Sequence, residues 1–336
     1  MVTLYGSVAY NKNEFYDRLC RVIITLKDGT VIKKTADKIT KNYDGLDVSA
    51  LHCVIKAQRN LLQSKQYGDI TIYNLDPNTE RNILANATKV SIEAGYNNPD
   101  MFGTIITADV IQTLRGKSSP VDYFVKLRFI TDNDYIIWGI TNLTARKGTN
   151  YRDLLNLVAQ NSTPKLTVDE SKMPKDWGND VTLIKGVSFF GTTNDVIKEV
   201  GNSTNSIIRI EEGKIYATQL KDTSDKKVEA YELNYKTGLI GQPTQNNEGV
   251  VFRTLLNPHL MLNDWVHINN GYILQEERDI GENAVGLDLD CDGLYRVISQ
   301  TYSLDTRGND WYIDCQAVSQ GGVTPTLLLT PDAKGI

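Results

Sequence analysis

The stretch Gly293-Leu294-Tyr295-Arg296-Val297-Ile298-Ser299-Gln300-Thr301-Tyr302-Ser303-Leu304, the polar loop Asp305-Thr306-Arg307-Gly308-Asn309-Asp310 and the return Trp311-Tyr312-Ile313-Asp314-Cys315-Gln316-Ala317 read as a β-hairpin late in the chain. β character runs back from this hairpin to Gly238. Residues 250–256 alternate apolar and polar side chains imperfectly and stop at Asn257-Pro258. Residues 264–268 and 271–274 read as two strands around Asn269-Asn270-Gly271, a hairpin turn signal. Together these segments predict a barrel-like β domain over residues 237–320. The Gly-, Pro- and Thr-rich tail, residues 321–336, is expected to be flexible.

The first part of the chain has the same character. Leu19, Val22, Ile24 and Leu26 lead into Asp28-Gly29, and Val31-Ile32 begin the return, so residues 19–35 read as a hairpin. A strand follows at 49–57, and residues 69–74 alternate cleanly. Asp76 is a good N-cap and Pro77 suits the first helical position, which places a short helix over 77–86. Strands are expected at 89–96, 102–114, 121–130 and 134–140, with breaks at Asn97-Asn98-Pro99-Asp100 and Ser118-Ser119-Pro120. Many short alternating strands with one helix are what a first barrel domain, residues 1–145, needs.

The middle differs. Leu154, Leu155, Leu157 and Val158 have helical spacing within 150–158, and 163–180, with Pro164 and Pro174, reads as a loop. Thr193 or Asn194 would cap a helix over 195–200, stopped by Gly201. Residues 206–210 and 214–218 form a hairpin around Glu211-Glu212-Gly213. Residues 146–236 are therefore a small α+β insert, and the predicted fold class is mainly β, with two β-barrel domains separated by that insert.

Composition narrows the function classes. The 336 residues carry 36 basic and 41 acidic side chains, a net charge of −5, with no long Lys or Arg run. A dedicated nucleic-acid binder would show a basic footprint, so sequence-specific binding is not expected. A surface that DNA slides past would avoid strong positive charge, because neutralising phosphates creates affinity. No apolar run suits a signal peptide or a membrane-spanning helix, so neither secretion by a leader nor membrane insertion is expected. Cys20, Cys53, Cys291 and Cys315 contain no CxxC, and His52, His259 and His267 are the only histidines. A zinc site is not expected, and the cysteines read as reduced residues in strands.

Several segments resemble the central hub proteins of contractile phage baseplates and related injection systems, the late control protein D-like family. They are Ser91-Ile92-Glu93-Ala94-Gly95-Tyr96 with Phe102-Gly103-Thr104-Ile105, and the Gly-Thr-x-x-Asp-Val helix within 186–218. The fullest is Thr237-Gly238-Leu239-Ile240-Gly241-Gln242-Pro243-Thr244, followed by Gly249-Val250 and Leu255-Leu256-Asn257-Pro258. Gly293-Leu294-Tyr295-Arg296-Val297 and the stretch from Asp305 to Tyr312 complete the set. The resemblance covers most of residues 65–318. It implies two related barrels with an α+β insert, and a homotrimer whose six barrels form a pseudo-sixfold ring. It also implies a threefold spike, a tail tube or tube-initiator protein and baseplate wedge proteins as partners. The particle would be a virion tail baseplate or a tailocin, assembled in the bacterial host cytoplasm.

Chemical motifs are few. Asp288-Leu289-Asp290-Cys291-Asp292-Gly293 matches the first half of a calcium-binding loop. The closing position, which should hold a bidentate Glu, is Ser299, and a strand follows where the exiting helix should be, so no metal is expected. No G-x-S-x-G elbow surrounds a serine, and the pairs Glu211-Glu212 and Glu276-Glu277 sit at turns, where adjacency supplies no glycosidase geometry. No phosphate-binding glycine loop is present. The Asn86, Asn142 and Asn202 sequons carry no meaning without a leader. No catalytic residue, cofactor or metal is assigned. Trp265, Tyr272, Trp311 and Tyr312 are either interface anchors or core. The leading expectation is a non-enzymatic trimeric hub that adapts a threefold spike to a sixfold tube around a central channel. The alternative is a cell-surface carbohydrate-binding or glycan-cleaving β protein.

Overall fold

The computed structural model describes residues 3–5, 15–32, 46–61, 66–218, 229–246, 249–275 and 293–319. The chain divides into two compact units, one of residues 1–60, 67–129 and 223–336, the other of residues 61–66 and 130–222. Its fold is mainly β, with an α+β unit inserted between two β regions.

The first unit opens with β1 (Thr3–Tyr5), β2 (Arg18–Leu26), β3 (Leu46–Asp47), β4 (Cys53–Asn60) and β5 (Tyr67–Tyr73). Helix α1 (Pro77–Asn86) spans the residues that its signals predict. The Asp76 carboxylate accepts from the Thr79 N–H, and Pro77 starts the helix without wasting a donor. Next come β6 (Ala87–Tyr96), β7 (Phe102–Lys117) and β8 (Tyr123–Ile130). These strands pair in the order β4-β5-β8-β7-β6-β2-β3. Val22, Ile24, Ile55, Ile70, Ile72, Val90 and Ile92 are fully buried at every second position. A Cβ at Gly95 would lie 2.0 Å from the Met101 carbonyl oxygen, so the β6–β7 connection closes only on glycine. The Asp28-Gly29 turn forms, with Gly29 at φ +79, and the described part of the return, Val31-Ile32, makes a bridge between Val31 and Thr25. Residues 33–35 lie outside the described residues.

The inserted unit contains α2 (Asn133–Ile136), β9 (Ile140–Ala145), α3 (Tyr151–Asn161), β10 (Ser162–Thr163), β11 (Thr167–Val168), β12 (Val187–Thr192), α4 (Thr193–Thr204), β13 (Ile207–Glu211) and β14 (Lys214–Thr218). It has two small sheets, ordered β10-β9-β12 and β11-β14-β13. Leu154, Leu155 and Val158 of α3 and Val196, Ile197 and Val200 of α4 form its core with Leu143, Phe189 and Ile215. The strand expected over 134–140 is absent. Asp132 turns the chain at φ +50 and starts one helical turn, which drops Ile136 into this core, and β9 begins only at Ile140. The short apolar run was ambiguous between the two periods. Helix α4 is longer than expected. Thr192 is its cap, and Gly201 lies inside it. A Cβ at Gly201 would come 2.7 Å from the Ser206 carbonyl, so that glycine serves close packing and Asn205 ends the helix in the left-handed region.

The first unit resumes with β15 (Glu229–Leu233), β16 (Leu239–Asn246), β17 (Gly249–Leu255), β18 (Trp265–Ile268), β19 (Leu274–Gln275), β20 (Leu294–Asp305) and β21 (Trp311–Ser319). The hairpin expected around Asn269-Asn270-Gly271 does not form. The Asn269 side chain accepts from the Gly271 N–H and winds a tight turn, and β19 then pairs in parallel with β16 instead of returning along β18. The final hairpin, β20–β21, does form.

β20 joins the two β regions. On one flank it pairs with β21 throughout. On the other, residues 294–296 pair with β18, and residues 299–305 pair with β4. The register shifts between Val297 and Ser299, where Ile298 is the extra residue and the partner changes. The result is one 15-stranded sheet running β19-β16-β17-β21-β20-β4-β5-β8-β7-β6-β2-β3, with β1, β15 and β18 branching from β20. No described helix is long and apolar enough to cross a membrane.

Candidate functional site

The loop between β20 and β21 fastens the two β regions together. The Thr306 hydroxyl donates to the Leu51 carbonyl at 2.6 Å and accepts from the Cys53 N–H at 2.9 Å. The Arg18 guanidinium donates to the carbonyls of Gly308 (2.6 Å), Asp305 (3.1 Å) and Asn309 (3.2 Å). Arg307 reaches the Ala50 carbonyl. Asp305 accepts from the N–H groups of Arg307 and Gly308 at 2.8 and 2.7 Å and lies 3.3 Å from His52 Nε2. Burial pushes the Asp305 carboxyl up, but those two N–H groups and His52 outweigh it and hold the group below the ordinary carboxylate value. His52 also stacks on Tyr73 with ring centroids 4.3 Å apart.

Around this seam the sheet presents a continuous outward face. Side chains directly opposite in neighbouring strands share a face. Leu255, Tyr312, Ser303, Lys56 and Asp69 therefore form one row across β17, β21, β20, β4 and β5. Arg253, Asp314, Thr301, Gln58 and Tyr67 form the next. Arg253 binds Asp314 through two contacts of 2.6 and 3.1 Å and lies 3.9 Å over the Tyr312 ring. The Asp314 hydrogen bond raises the Arg253 pKa above its usual value. The Tyr67 hydroxyl donates to Gln58 at 2.8 Å, and Lys126 meets Asp69 at 3.1 Å. A depression of about 330 Å³ lies on this face, lined by Lys56, Gln58, Tyr67, Ile111, Arg128 and Thr301. Fixed charge pairs and tyrosines thus line this broad sheet face.

The residues weighed in the sequence are scattered. His259 Nε2 lies 2.9 Å from the Asp100 carbonyl, and His267 is a pairing residue of β18. Glu211 pairs with the buried Arg209 at 3.1 Å, while Glu212 offers its N–H to Asp132 in a turn. Trp311 is buried and Trp265 partly buried, with Arg296 over the latter ring. Tyr272 is exposed beside a cavity of about 300 Å³ that it shares with Tyr235, Leu239 and Gln242. The segment 288–292 and Glu276-Glu277 lie outside the described residues. Among the described residues no three His, Cys, Asp or Glu side chains cluster, and Ser299 is a strand residue of β20. Cys20, Cys53 and Cys315 are free and buried. Burial pushes the Cys53 and Cys315 thiols up, which makes them inert. Tyr312 was weighed in the sequence as an interface anchor or core residue, but Arg18, Arg253 and Asp314 were not singled out. The one signal was the alternation along β21, with Asp314 and Gln316 between Ile313, Cys315 and Ala317.

No family model matches the chain, and no curated protein matches it in sequence. Solved structures do match. A tail protein from Neisseria meningitidis covers 92% of this chain and 99% of its own at 10% identity, with a TM-score of 0.54. The 43 kDa tail protein of prophage MuSo2 from Shewanella oneidensis covers 90% and 98% at 8% identity, with a TM-score of 0.52. The E. coli c3393 protein is described as a component of the type VI secretion system with structural similarity to the T4 bacteriophage tail proteins gp27 and gp5. It covers 83% and 77% at 9% identity, with a TM-score of 0.51. The chain has the fold of these tail and secretion-system proteins.

Proposed function

We propose that this chain is a non-catalytic structural subunit of a tail-like injection machine and serves as its hub. The observation that carries the proposal is β20, which pairs with both β regions and makes them one sheet. A part built this way holds two β regions together through one shared strand. Three copies would present six quasi-equivalent positions to a sixfold tube while keeping threefold symmetry for a spike. The two β regions, expected from the sequence over residues 1–145 and 237–320 and separated in the structure by the inserted stretch 130–222, would line a central channel. The neighbours' descriptions as tail proteins, and their match over nearly the whole chain, support this reading. The partners would be two further copies, a spike, a tube or tube-initiator protein and wedge proteins, in a baseplate or a tailocin. The paired charges of the outward face suit a contact surface.

Light scattering on the purified chain, alone and with its spike protein, tests the proposal. A mass that is a multiple of three chains, alone or bound to a spike trimer, is expected. A chain that stays monomeric in both samples and binds or cleaves glycans would overturn it.

A further inference from the structure

We infer that β12 is a pairing edge that joins two copies of this chain. The inference does not depend on the hub reading. β12 pairs with β9 along all six of its residues, and among the described residues no strand pairs with its other flank. A free edge presents a row of unsatisfied N–H and C=O groups, and proteins normally guard it with lysine, proline, a bulge or a cover. Val187-Ser188-Phe189-Phe190-Gly191-Thr192 has no charge and no proline, and its pairing with β9 runs without a register shift. Phe189 fills the core of the inserted unit, so Phe190 must face outward, and it is 83% exposed. Ile140, diagonal to it on β9, is 55% exposed, and Trp138 just before that strand is 70% exposed. Single exposed apolar residues are ordinary; three together beside an unguarded edge are not.

The chemistry of the edge selects a second copy as its occupant. Residues directly opposite in an antiparallel pair point to the same face. A two-fold axis at Phe190 sets that ring against its own mate and Ser188 against Thr192, so the outward face meets an outward face of the same kind. The same antiparallel arrangement brings Lys185, just before β12, towards the first turn of α4 in the other copy, where Asp195 accepts from the Thr192 hydroxyl; Lys185 and Asp195 are both exposed. A parallel in-register pair would put Lys185 against Lys185 and is disfavoured by that repulsion. The charges are thus complementary in one arrangement, repeated twice by symmetry.

Sedimentation velocity on the full chain tests this, with wild type, Phe190→Lys, Phe190→Leu and Lys185→Glu compared. Phe190 is exposed, so the folded state of each variant can be checked by an unchanged circular dichroism spectrum and melting curve. Wild type is expected to contain an even number of copies, Phe190→Lys half that number, and Phe190→Leu the wild-type number. Lys185→Glu, which removes two ion pairs and adds two repulsions, is expected to weaken pairing by about tenfold. A hexamer that falls to a trimer supports both the edge and the ring. A dimer that falls to a monomer supports the edge and counts against the ring. A trimer unchanged by Phe190→Lys overturns the edge and leaves the ring standing, and unweakened pairing in Lys185→Glu overturns the antiparallel register and the inference with it.

Discussion

At the scale of single residues, the joint between the two β regions is a set of polar contacts around Asp305. Its carboxylate caps two N–H groups of its own loop and faces His52 beside the start of β4. Because its folded pKa is depressed, Asp305 stabilises the protein above the ordinary carboxylate value, 3.8, and that contribution fades as pH falls through the lower folded value. Asp305→Asn removes this linkage. The difference in urea midpoint between wild type and variant is expected to be largest near pH 6 and to shrink below pH ~4. A difference that grows on acidification would show that Asp305 is not held in its charged form. Gly95 makes the same point about single residues from the steric side, since the Met101 carbonyl leaves no room for a Cβ.

At the scale of elements, the deciding feature is the partner exchange along β20. One extra residue, Ile298, lets the strand leave β18 and take up β4 while its core-facing side stays inward. Removing it shifts the side-chain alternation by one. Ser299, Thr301 and Ser303 would then turn toward the core, and Gln300, Tyr302 and Leu304 toward solvent. Each large apolar side chain moved out forfeits roughly 1.5–3 kcal/mol, so two of them remove much of a typical domain's stability. Deletion of Ile298 is therefore expected to abolish cooperative unfolding, and a variant with a sharp thermal transition near that of wild type would count against the bulge's role. Helix α1, by contrast, is decided locally by Asp76 and Pro77, and for that reason it lies where its sequence signals put it.

At the scale of the whole molecule, two units carry separate cores. The core of the inserted unit is built on α3 and α4 and holds Leu155 with no exposure. Leu155→Ala is expected to cost about 2–5 kcal/mol there. Hydrogen exchange resolved by residue should then show faster opening within 130–222, while β20 and β4 keep their protection. Equal acceleration in β20 would mean that the units open as one. Pairing through β12 and assembly through the large sheet likewise belong to different units, which is why the oligomer measurements can separate them.

What the sequence determined by itself was local. Alternation and turn chemistry placed most strands, the Asp76-Pro77 pair placed α1, and the final hairpin was legible from its polar loop and flanking strands. Composition argued against a nucleic-acid binder, and short glycine motifs pointed to tail hub proteins; the structural neighbours are tail and secretion-system proteins. Short apolar runs such as Tyr135-Ile136-Ile137 fit either period, so only the core of the inserted unit could decide that they form a helical turn. The Asn269 turn was recognised, but its destination was not, because a turn does not specify which distant strand the chain meets next. The pairing of β20 with β4 joins residues about 240 positions apart, and the outward rows and the bare edge of β12 depend on pairings of the same kind. Side-chain periodicity tells which way a strand faces. Only the folded chain decides what lies beside it, because long-range strand pairing is set by complementary burial over the whole sheet.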